Sequence, residues 1–241
     1  MKVAVLSDIH SNLEALEAVQ EDLDLFLPDR VVCLGDIVGY GPDPEAVVSL
    51  VRRLGYSSII GNHEAALAGN RARDWMNFQA RENSISTKAL LSPDNLKYCC
   101  ELPVTMSIGE AHFVHGCPPD SVNTYLYLMS DEQVLETLEN ASCKLFFVGH
   151  THELMLVFGE RGRVVREFLP PGRKALSKSL SYVVNCGSVG QPRDGDCRAK
   201  YVIWDSVEWS LEVRAVNYDY EITAEKILAR GFPRGYADRL R

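Results

Sequence analysis

The sequence of 241 residues predicts an α/β (α+β) fold, and three features of the chain indicate it. Strand and helix patterns alternate through the first half, which favours parallel strands joined by helices. Strand patterns dominate the second half, and the hairpins among them favour antiparallel additions. Carboxylate and imidazole side chains follow several apolar strands, and in open α/β sheets the carboxyl ends of the strands form the ligand crevice.

The first half begins with short apolar runs that predict buried strands at residues 3–7, 30–34 and 57–60. An amphipathic helix is predicted at 12–25, where leucines and valines recur with a period near 3.6. Pro44 and Gly55 mark the start and the end of the next helix, predicted at 44–54. A long helical stretch follows from about 64 to 100, with an interruption at Ser92-Pro93.

Strand patterns resume in the second half, at residues 111–114, 144–148, 164–169, 182–185, 201–205 and 210–215. A last helix is predicted from about 223 to 231. The sequence contains no Pro/Ser-rich linker, repeat or low-complexity tract between these elements. Residues 1–241 are therefore expected to form a single domain, with a helical insertion around 65–100 that could cap a functional site.

The composition is that of an ordinary globular protein, with 46% hydrophobic and 24% charged residues. A net charge of −8 gives no general attraction to nucleic acid polymers or to a membrane surface, so a site for phosphate must obtain positive charge locally. No apolar stretch approaches the length of a membrane span. Seven cysteines without a C-x-x-C pair favour reduced thiols in a cytoplasmic protein, and the oligomeric state stays open.

Five short polar motifs each follow an apolar strand pattern. They are Asp8-Ile9-His10, Gly35-Asp36, Gly61-Asn62-His63-Glu64, His115-Gly116 and Gly149-His150-Thr151-His152. Together they supply two aspartate carboxylates, one amide oxygen and five imidazoles, a set that suits a two-metal hydrolytic site. Mixed nitrogen and oxygen ligands favour manganese, iron, zinc, cobalt or nickel over calcium and magnesium.

The ordered set of motifs resembles the calcineurin-like metallophosphoesterase superfamily. The resemblance implies a layered β-sandwich of two mixed sheets flanked by helices, and two divalent transition-metal ions. It implies Asp8, His10, Asp36 and His152 as ligands of one ion and Asp36, Asn62, His115 and His150 as ligands of the other, with Asp36 as the bridge. It also implies that a hydroxide between the metals attacks phosphorus, and that His63 is a catalytic residue but not a ligand.

Two positions separate this chain from the Ser/Thr protein phosphatase branch of the superfamily. Gly39 and Tyr40 stand where that branch has the aspartate that orients the catalytic histidine and the arginine that grips phosphate. The closer resemblance is to bacterial proteins related to symmetrical diadenosine tetraphosphatases, through Gly39-Tyr40-Gly41-Pro42 and the segment 187–194. It implies small phosphorylated substrates, such as dinucleoside polyphosphates or other nucleotides. A broad phosphodiesterase or a protein phosphatase is the alternative, and a non-catalytic scaffold is the least favoured.

Substrate contacts are harder to predict, and Tyr40 and Arg193 are the best candidates. The segment 187–200 also carries Arg198 and Lys200 and could be a phosphate-gripping loop. Alternatively, it is a turn whose cations are solvated or paired with Asp194 and Asp196. In the helical insertion, Trp75 or Phe78 could stack on a nucleobase, but their spacing of three favours packing of the helices onto the sheet. His112 is interpreted as structural.

Overall fold

The computed structural model describes the backbone of residues 1–241 and every side chain except those of residues 70 and 71. The strands are β1 (Lys2–Leu6), β2 (Arg30–Cys33), β3 (Ser57–Ser58), β4 (Thr105–Ile108), β5 (Ala111–Val114), β6 (Leu145–Val148), β7 (Leu154–Glu160), β8 (Arg163–Phe168), β9 (Gly172–Ala175), β10 (Tyr182–Cys186), β11 (Ala199–Asp205) and β12 (Ser210–Val216). The helices are α1 (Leu13–Phe26), α2 (Pro44–Leu54), α3 (Asn62–Ala68), α4 (Asn70–Arg73), α5 (Phe78–Ala89), α6 (Pro93–Cys100), α7 (Asp131–Asn140), α8 (Tyr220–Ala229) and α9 (Arg234–Asp238).

Within this described chain the strands form two six-stranded sheets. The first has the order β3-β2-β1-β11-β12-β9 and the second the order β4-β5-β6-β10-β7-β8. Both sheets are mixed, because β1, β2 and β3 run parallel in the first and β5, β6 and β10 in the second, while their other pairs are antiparallel. The predicted layered sandwich of two mixed sheets is thus confirmed.

Strand β1 shows how the layers are built. Its side chains alternate, so Val3 and Val5 face the core between the sheets, where Phe113 and Trp204 also lie. Ala4 and Leu6 face the opposite way and pack in the cluster that includes the buried stripe of α1. Helix α7 covers the outer face of the second sheet in the same manner. Helices therefore flank a two-sheet core. None of the described helices is long and apolar enough to cross a membrane.

Several elements differ from the sequence-based expectation. The helical stretch predicted from 64 to 100 is divided into α3, α4, α5 and α6, because the chain turns at Gly69, at 74–77 and again before Pro93. Strands β4, β7 and β9 and helices α7 and α9 were not predicted. Strand β9 reads Gly-Arg-Lys-Ala and lies at a sheet edge, so it has no apolar alternation to reveal it. The single-domain organisation stays a prediction.

Candidate metal centre

The predicted metal ligands converge at the carboxyl ends of strands from both sheets. Asp8, Asp36 and Asn62 follow the parallel strands β1, β2 and β3, and His115 and His150 follow β5 and β6. The carboxylates and imidazoles are buried: Asp8, His10, Asp36, His115, His150 and His152. Their potential ligand atoms lie within 4.8 Å of one another in a first group, Asp8-His10-His152, and in a second group, Asp36-His115-His150. The same spacing joins His10 and Asp36 to the neighbouring His63.

The first group surrounds Asp8. The Nε2 atoms of His10 and His152 lie 3.1 Å apart, and Asp8 Oδ1 lies 3.6 Å from the former and 3.2 Å from the latter. Ligand atoms held about 2.0–2.2 Å from one ion are separated by roughly 3.0–3.6 Å in tetrahedral or octahedral geometry. The three atoms are therefore spaced as the ligands of a single transition-metal ion.

The second group surrounds His115. Its Nε2 atom lies 3.3 Å from Asp36 Oδ2 and 3.1 Å from Asn62 Oδ1, and its ring lies 5.1 Å from that of His150. Asp36 Oδ2 is also 3.8 Å from His10 Nε2, so this one oxygen lies between the two groups. Asp36 has the position that a bridging carboxylate requires.

Backbone carbonyl groups set the tautomer of each imidazole. The Nδ1 atoms of His10, His115 and His152 lie 3.0, 2.8 and 2.6 Å from the carbonyl oxygens of Val38, Leu34 and Gln191 respectively. A carbonyl only accepts, so each Nδ1–H donates, and in the neutral ring each Nε2 presents a lone pair to the cluster. His150 has the opposite arrangement, because its Nε2 donates to Asn123 O at 3.2 Å and leaves Nδ1 free.

This arrangement brings lone pairs together with no hydrogen between them. The Nε2 atoms of His10 and His152 face each other as two acceptors, and Asp8 Oδ1 beside them is a buried atom without a hydrogen-bond partner in the described residues. Clustered buried acceptors are unfavourable unless a cation satisfies them. The donor set therefore fits divalent metal ions.

The protonation states agree with ligation. Burial opposes ionisation of Asp8 and Asp36, but the surrounding imidazoles hold the pKa of both carboxyl groups well below the usual range. Burial lowers the pKa of His150 and of His152 to about 4, so both are neutral. Burial acts in the same direction on His115, but the negative Asp36 outweighs it and raises that pKa to about 9 in the absence of metal. A bound cation would displace that proton.

Backbone strain is concentrated at this site. The loops that carry the predicted metal ligands are called the metal loops. In the described chain, ten residues other than glycine have positive φ, and seven of them lie in or beside the metal loops: Asp8, His10, Ser11, Asp36, Tyr40, His150 and His152. Such conformations cost of order 1–3 kcal/mol each and persist where the surroundings hold them. They aim the ligands inward at the ends of the strands.

Glu64 holds two of these loops together. It is buried in the first turn of α3, and its carboxylate accepts hydrogen bonds from the backbone N–H groups of Asp36 (2.8 Å), Val38 (3.0 Å) and Gly61 (2.9 Å). Burial and the nearby Asp36 raise the pKa of Glu64 to about 7. Sequence reasoning gave Glu64 no role, although its position three residues after Gly61 is that of a capping-box acid.

His63 is buried beside the ligands, and its backbone N–H donates to Asp36 Oδ1 at 2.9 Å. Its Nδ1 atom has no hydrogen-bond partner among the described residues and packs against Gly39, where a Cβ atom would lie only 2.0 Å from it. No aspartate fits at position 39 with this histidine placement. Burial lowers the pKa of His63 to about 3, so its ring is neutral.

The two predicted substrate contacts have different surroundings. The Tyr40 ring packs against His10 (4.6 Å), His63 (4.5 Å) and Tyr236 (5.0 Å). Tyr40 also lines a cavity that predicted metal ligands line as well. Arg193 is exposed, and its guanidinium donates to Gln191 Oε1 at 3.1 Å.

The other cations of the segment 187–200 are paired internally. Lys200 is buried and donates to Asp194 Oδ1 at 2.8 Å, and Arg198 pairs with Asp196 at 2.5 Å. The interpretation of this segment as a turn with internally paired cations therefore holds for Lys200 and Arg198. Arg193 has no carboxylate partner within the described side chains, so it alone of the three is available to a phosphate.

Trp75 and Phe78 do not pack the helices onto the sheet, and that favoured interpretation is wrong. Their side chains are 77% and 76% exposed. Trp75 lies in the turn before α5 and Phe78 is the first residue of α5, so the helix-face spacing does not apply; Met76 and Ala80 pack inward instead.

His112 lies outside the site, with Nδ1 2.9 Å from Ser107 Oγ and Nε2 2.8 Å from Pro119 O.

The two-sheet sandwich with clustered aspartate and histidine side chains defines a metallophosphoesterase fold and site. Residues 1–208 match the calcineurin-like phosphoesterase superfamily domain, and the chain belongs to this superfamily. The predicted membership of this superfamily is confirmed, and the resemblance to the diadenosine tetraphosphatase subgroup stays a prediction.

Known relatives extend over nearly the whole chain. The crystal structure of a metallophosphoesterase from Sphaerobacter thermophilus is 35% identical with a TM-score of 0.85, covering 100% of this chain and 98% of that one. An uncharacterized protein of Methanocaldococcus jannaschii is 36% identical over 99% of this chain and 96% of its own length. A structure described as a proposed diadenosine tetraphosphatase has 16% identity and a TM-score of 0.52, covering 90% of this chain and 94% of that one, which shows a shared fold alone.

Proposed function

We propose that the protein hydrolyses phosphate esters or anhydrides of small molecules with two divalent transition-metal ions. The observation that carries the proposal is the cluster of buried acceptors around Asp8, His10 and His152, which lacks hydrogens to satisfy it. The buried Asp36 oxygen between this cluster and His115 supports a shared, two-ion site.

The ligand sets follow the two groups of side chains. One ion is held by Asp8, His10, Asp36 and His152, and the other by Asp36, Asn62, His115 and His150. When bound, two such ions supply a hydroxide nucleophile at neutral pH and neutralise charge on the phosphoryl oxygens. The identity of the ions, among manganese, iron, zinc, cobalt and nickel, is left to experiment.

The remaining side chains bind and orient the substrate. His63 is neutral, so it assists the leaving oxygen as a hydrogen-bond donor at the edge of the cluster. Arg193 contacts a phosphoryl oxygen with the guanidinium that no described carboxylate neutralises. Tyr40 borders the same space and contacts the substrate beside His63. The leading substrates are dinucleoside polyphosphates or other nucleotides, in a cytoplasmic setting.

A direct test uses metal-free protein loaded in turn with each of the five ions and supplied with p-nitrophenyl phosphate. We expect turnover that requires metal, and two ions bound per chain by elemental analysis. Asp36→Asn should abolish turnover because it removes the charged bridge, whereas Glu17→Gln on the exposed face of α1 is the matched control. Two bound ions without turnover would instead establish a non-catalytic scaffold, and near-native activity in Asp36→Asn would contradict the bridge.

A panel of substrates then separates the remaining alternatives. Diadenosine polyphosphates, cyclic nucleotides and phosphopeptides are compared at equal concentration with the active metal form. We expect the diadenosine polyphosphates to be preferred. A preference for cyclic nucleotides would indicate a phosphodiesterase, and a preference for phosphopeptides a protein phosphatase. The latter is disfavoured because His63 leaves no space at Gly39 for the aspartate of that branch.

A further inference from the structure

An exposed tryptophan lies at the rim of the metal centre. Of the three tryptophans in the chain, Trp204 and Trp209 are only 1% and 3% exposed in the core, whereas Trp75 is 77% exposed. Trp75 lines one cavity together with Asn62 and His150 of the second metal group. Because Trp75 lines this cavity, its large flat ring offers an aromatic face to a molecule that enters there.

The turn that carries Trp75 is firmly anchored. Met76 is only 9% exposed and packs against Ala66, Ala80 and Tyr40. On one side, the Met76 N–H donates to Arg73 O at 3.0 Å; on the other, the Asn77 side chain caps α5 by accepting from Ala80 N at 2.9 Å. The backbone on both sides of the indole is fixed, so its exposure is built into the turn.

The lining of the cavity contains a second aromatic ring, Tyr125, which packs on a predicted ligand. The Tyr125 ring stacks on His150 at 4.0 Å with an interplanar angle of 18°, and Tyr127 stacks on Tyr125 at 5.1 Å and 15°. The lining also includes Asn62, Asn77 and Asn123; the oxygens of the first two are engaged by the ligand set and by the cap of α5, which leaves their N–H₂ groups as donors. Aromatic faces accept a flat ring, and amides provide hydrogen bonds for ring nitrogen and carbonyl atoms.

We propose that this cavity binds a flat, nitrogen-containing ring of the substrate, such as a nucleobase, and that Trp75 stacks on it. The proposal rests on the proposed function for the phosphate end of the substrate. It adds that Trp75 determines specificity, because phosphates that carry such a ring are bound better than phosphates of the bare sugar. Tyr125 also lines this cavity and joins it to the His150 side of the metal centre through their stacked rings.

The test compares adenosine 5′-monophosphate with ribose 5-phosphate, which differ only in the base. Dissociation constants are measured by calorimetry on the zinc-loaded protein, for the native chain and for Trp75→Ala, Trp75→Phe and Phe78→Ala. Phe78→Ala is the matched control, since Phe78 is as exposed as Trp75 but does not line the cavity. Loss of one stacking contact corresponds to roughly 5-fold to 150-fold in affinity.

We expect Trp75→Ala to weaken binding of adenosine 5′-monophosphate at least about fivefold and ribose 5-phosphate less than about twofold. Trp75→Phe should retain most of the affinity, and Phe78→Ala all of it. Equal native affinity for the two probes, equal weakening of both by Trp75→Ala, or an equal effect of Phe78→Ala would overturn the proposal. The binding readout needs no turnover, so an inactive protein that still prefers the base would refute the proposed function and leave the ring site standing.

Discussion

Replacing Glu64 tests whether one buried carboxylate holds the metal loops. Glu64→Gln can keep the bonds from Asp36 N and Gly61 N, which share Oε2, but it places an amide N–H₂ against Val38 N–H. Val38 N–H and the new amide are then two buried donors without an acceptor, at about 1–3 kcal/mol each, or about 2–6 kcal/mol together. Glu64→Ala leaves three such donors, or about 3–9 kcal/mol, a large part of the roughly 5–15 kcal/mol that stabilises an average domain.

Urea unfolding of the metal-free protein, followed by the fluorescence of the buried Trp204 and Trp209, measures these differences. Manganese affinity measured by calorimetry should fall about 10-fold to 100-fold in Glu64→Gln, because the backbone that aims Asp36 is loosened. The exposed Glu17→Gln should stay within about 0.5 kcal/mol of the native protein. If Glu64→Gln matched Glu17→Gln in both stability and metal affinity, the loop-fastening role would be refuted.

Two other substitutions have distinct expected outcomes. His63→Ala should reduce turnover while leaving two ions per chain by elemental analysis, and a parallel loss of metal would make His63 a ligand instead. Asp22 accepts from Tyr201 Oη at 2.7 Å and from Arg214 Nη2 at 2.8 Å, and although burial opposes it, the Arg214 guanidinium lowers the pKa of Asp22. The stabilisation by ionised Asp22 is therefore present above its unfolded pKa and is lost as the pH falls through the folded pKa. Asp22→Asn should lower the unfolding free energy by about 1–3 kcal/mol at pH 7, and by progressively less as the pH falls below the unfolded pKa. A loss of stability that does not change as the pH falls would exclude the charge.

The fold and the metal-ligand candidates could be predicted because they depend on local patterns. Apolar runs such as Val3–Leu6 indicate a buried strand, and a polar residue such as Asp8 directly after one marks the crevice end of the sheet. Trp75 could not be placed in this way, because its spacing from Phe78 matches a helix face while the chain actually turns between α4 and α5. For the cations of residues 194–200, internal ion pairing was one of two alternatives that the sequence left open. Only three-dimensional distances decide which carboxylate pairs with Lys200.

Much of the remaining unpredicted part of the site consists of backbone groups, which have no residue-type signature. The segment 187–194 illustrates this, because its carbonyl and hydroxyl groups hold the metal loops from a distance of many residues along the chain. Gln191 O accepts from His152 Nδ1, and Ser188 Oγ donates to Asp8 O at 2.8 Å. The Gly190 N–H donates to the same Asp8 oxygen at 2.9 Å. The conspicuous sequence of this segment is therefore explained first by support of Asp8 and His152, and Arg193 is the side chain of this segment that we propose contacts the substrate.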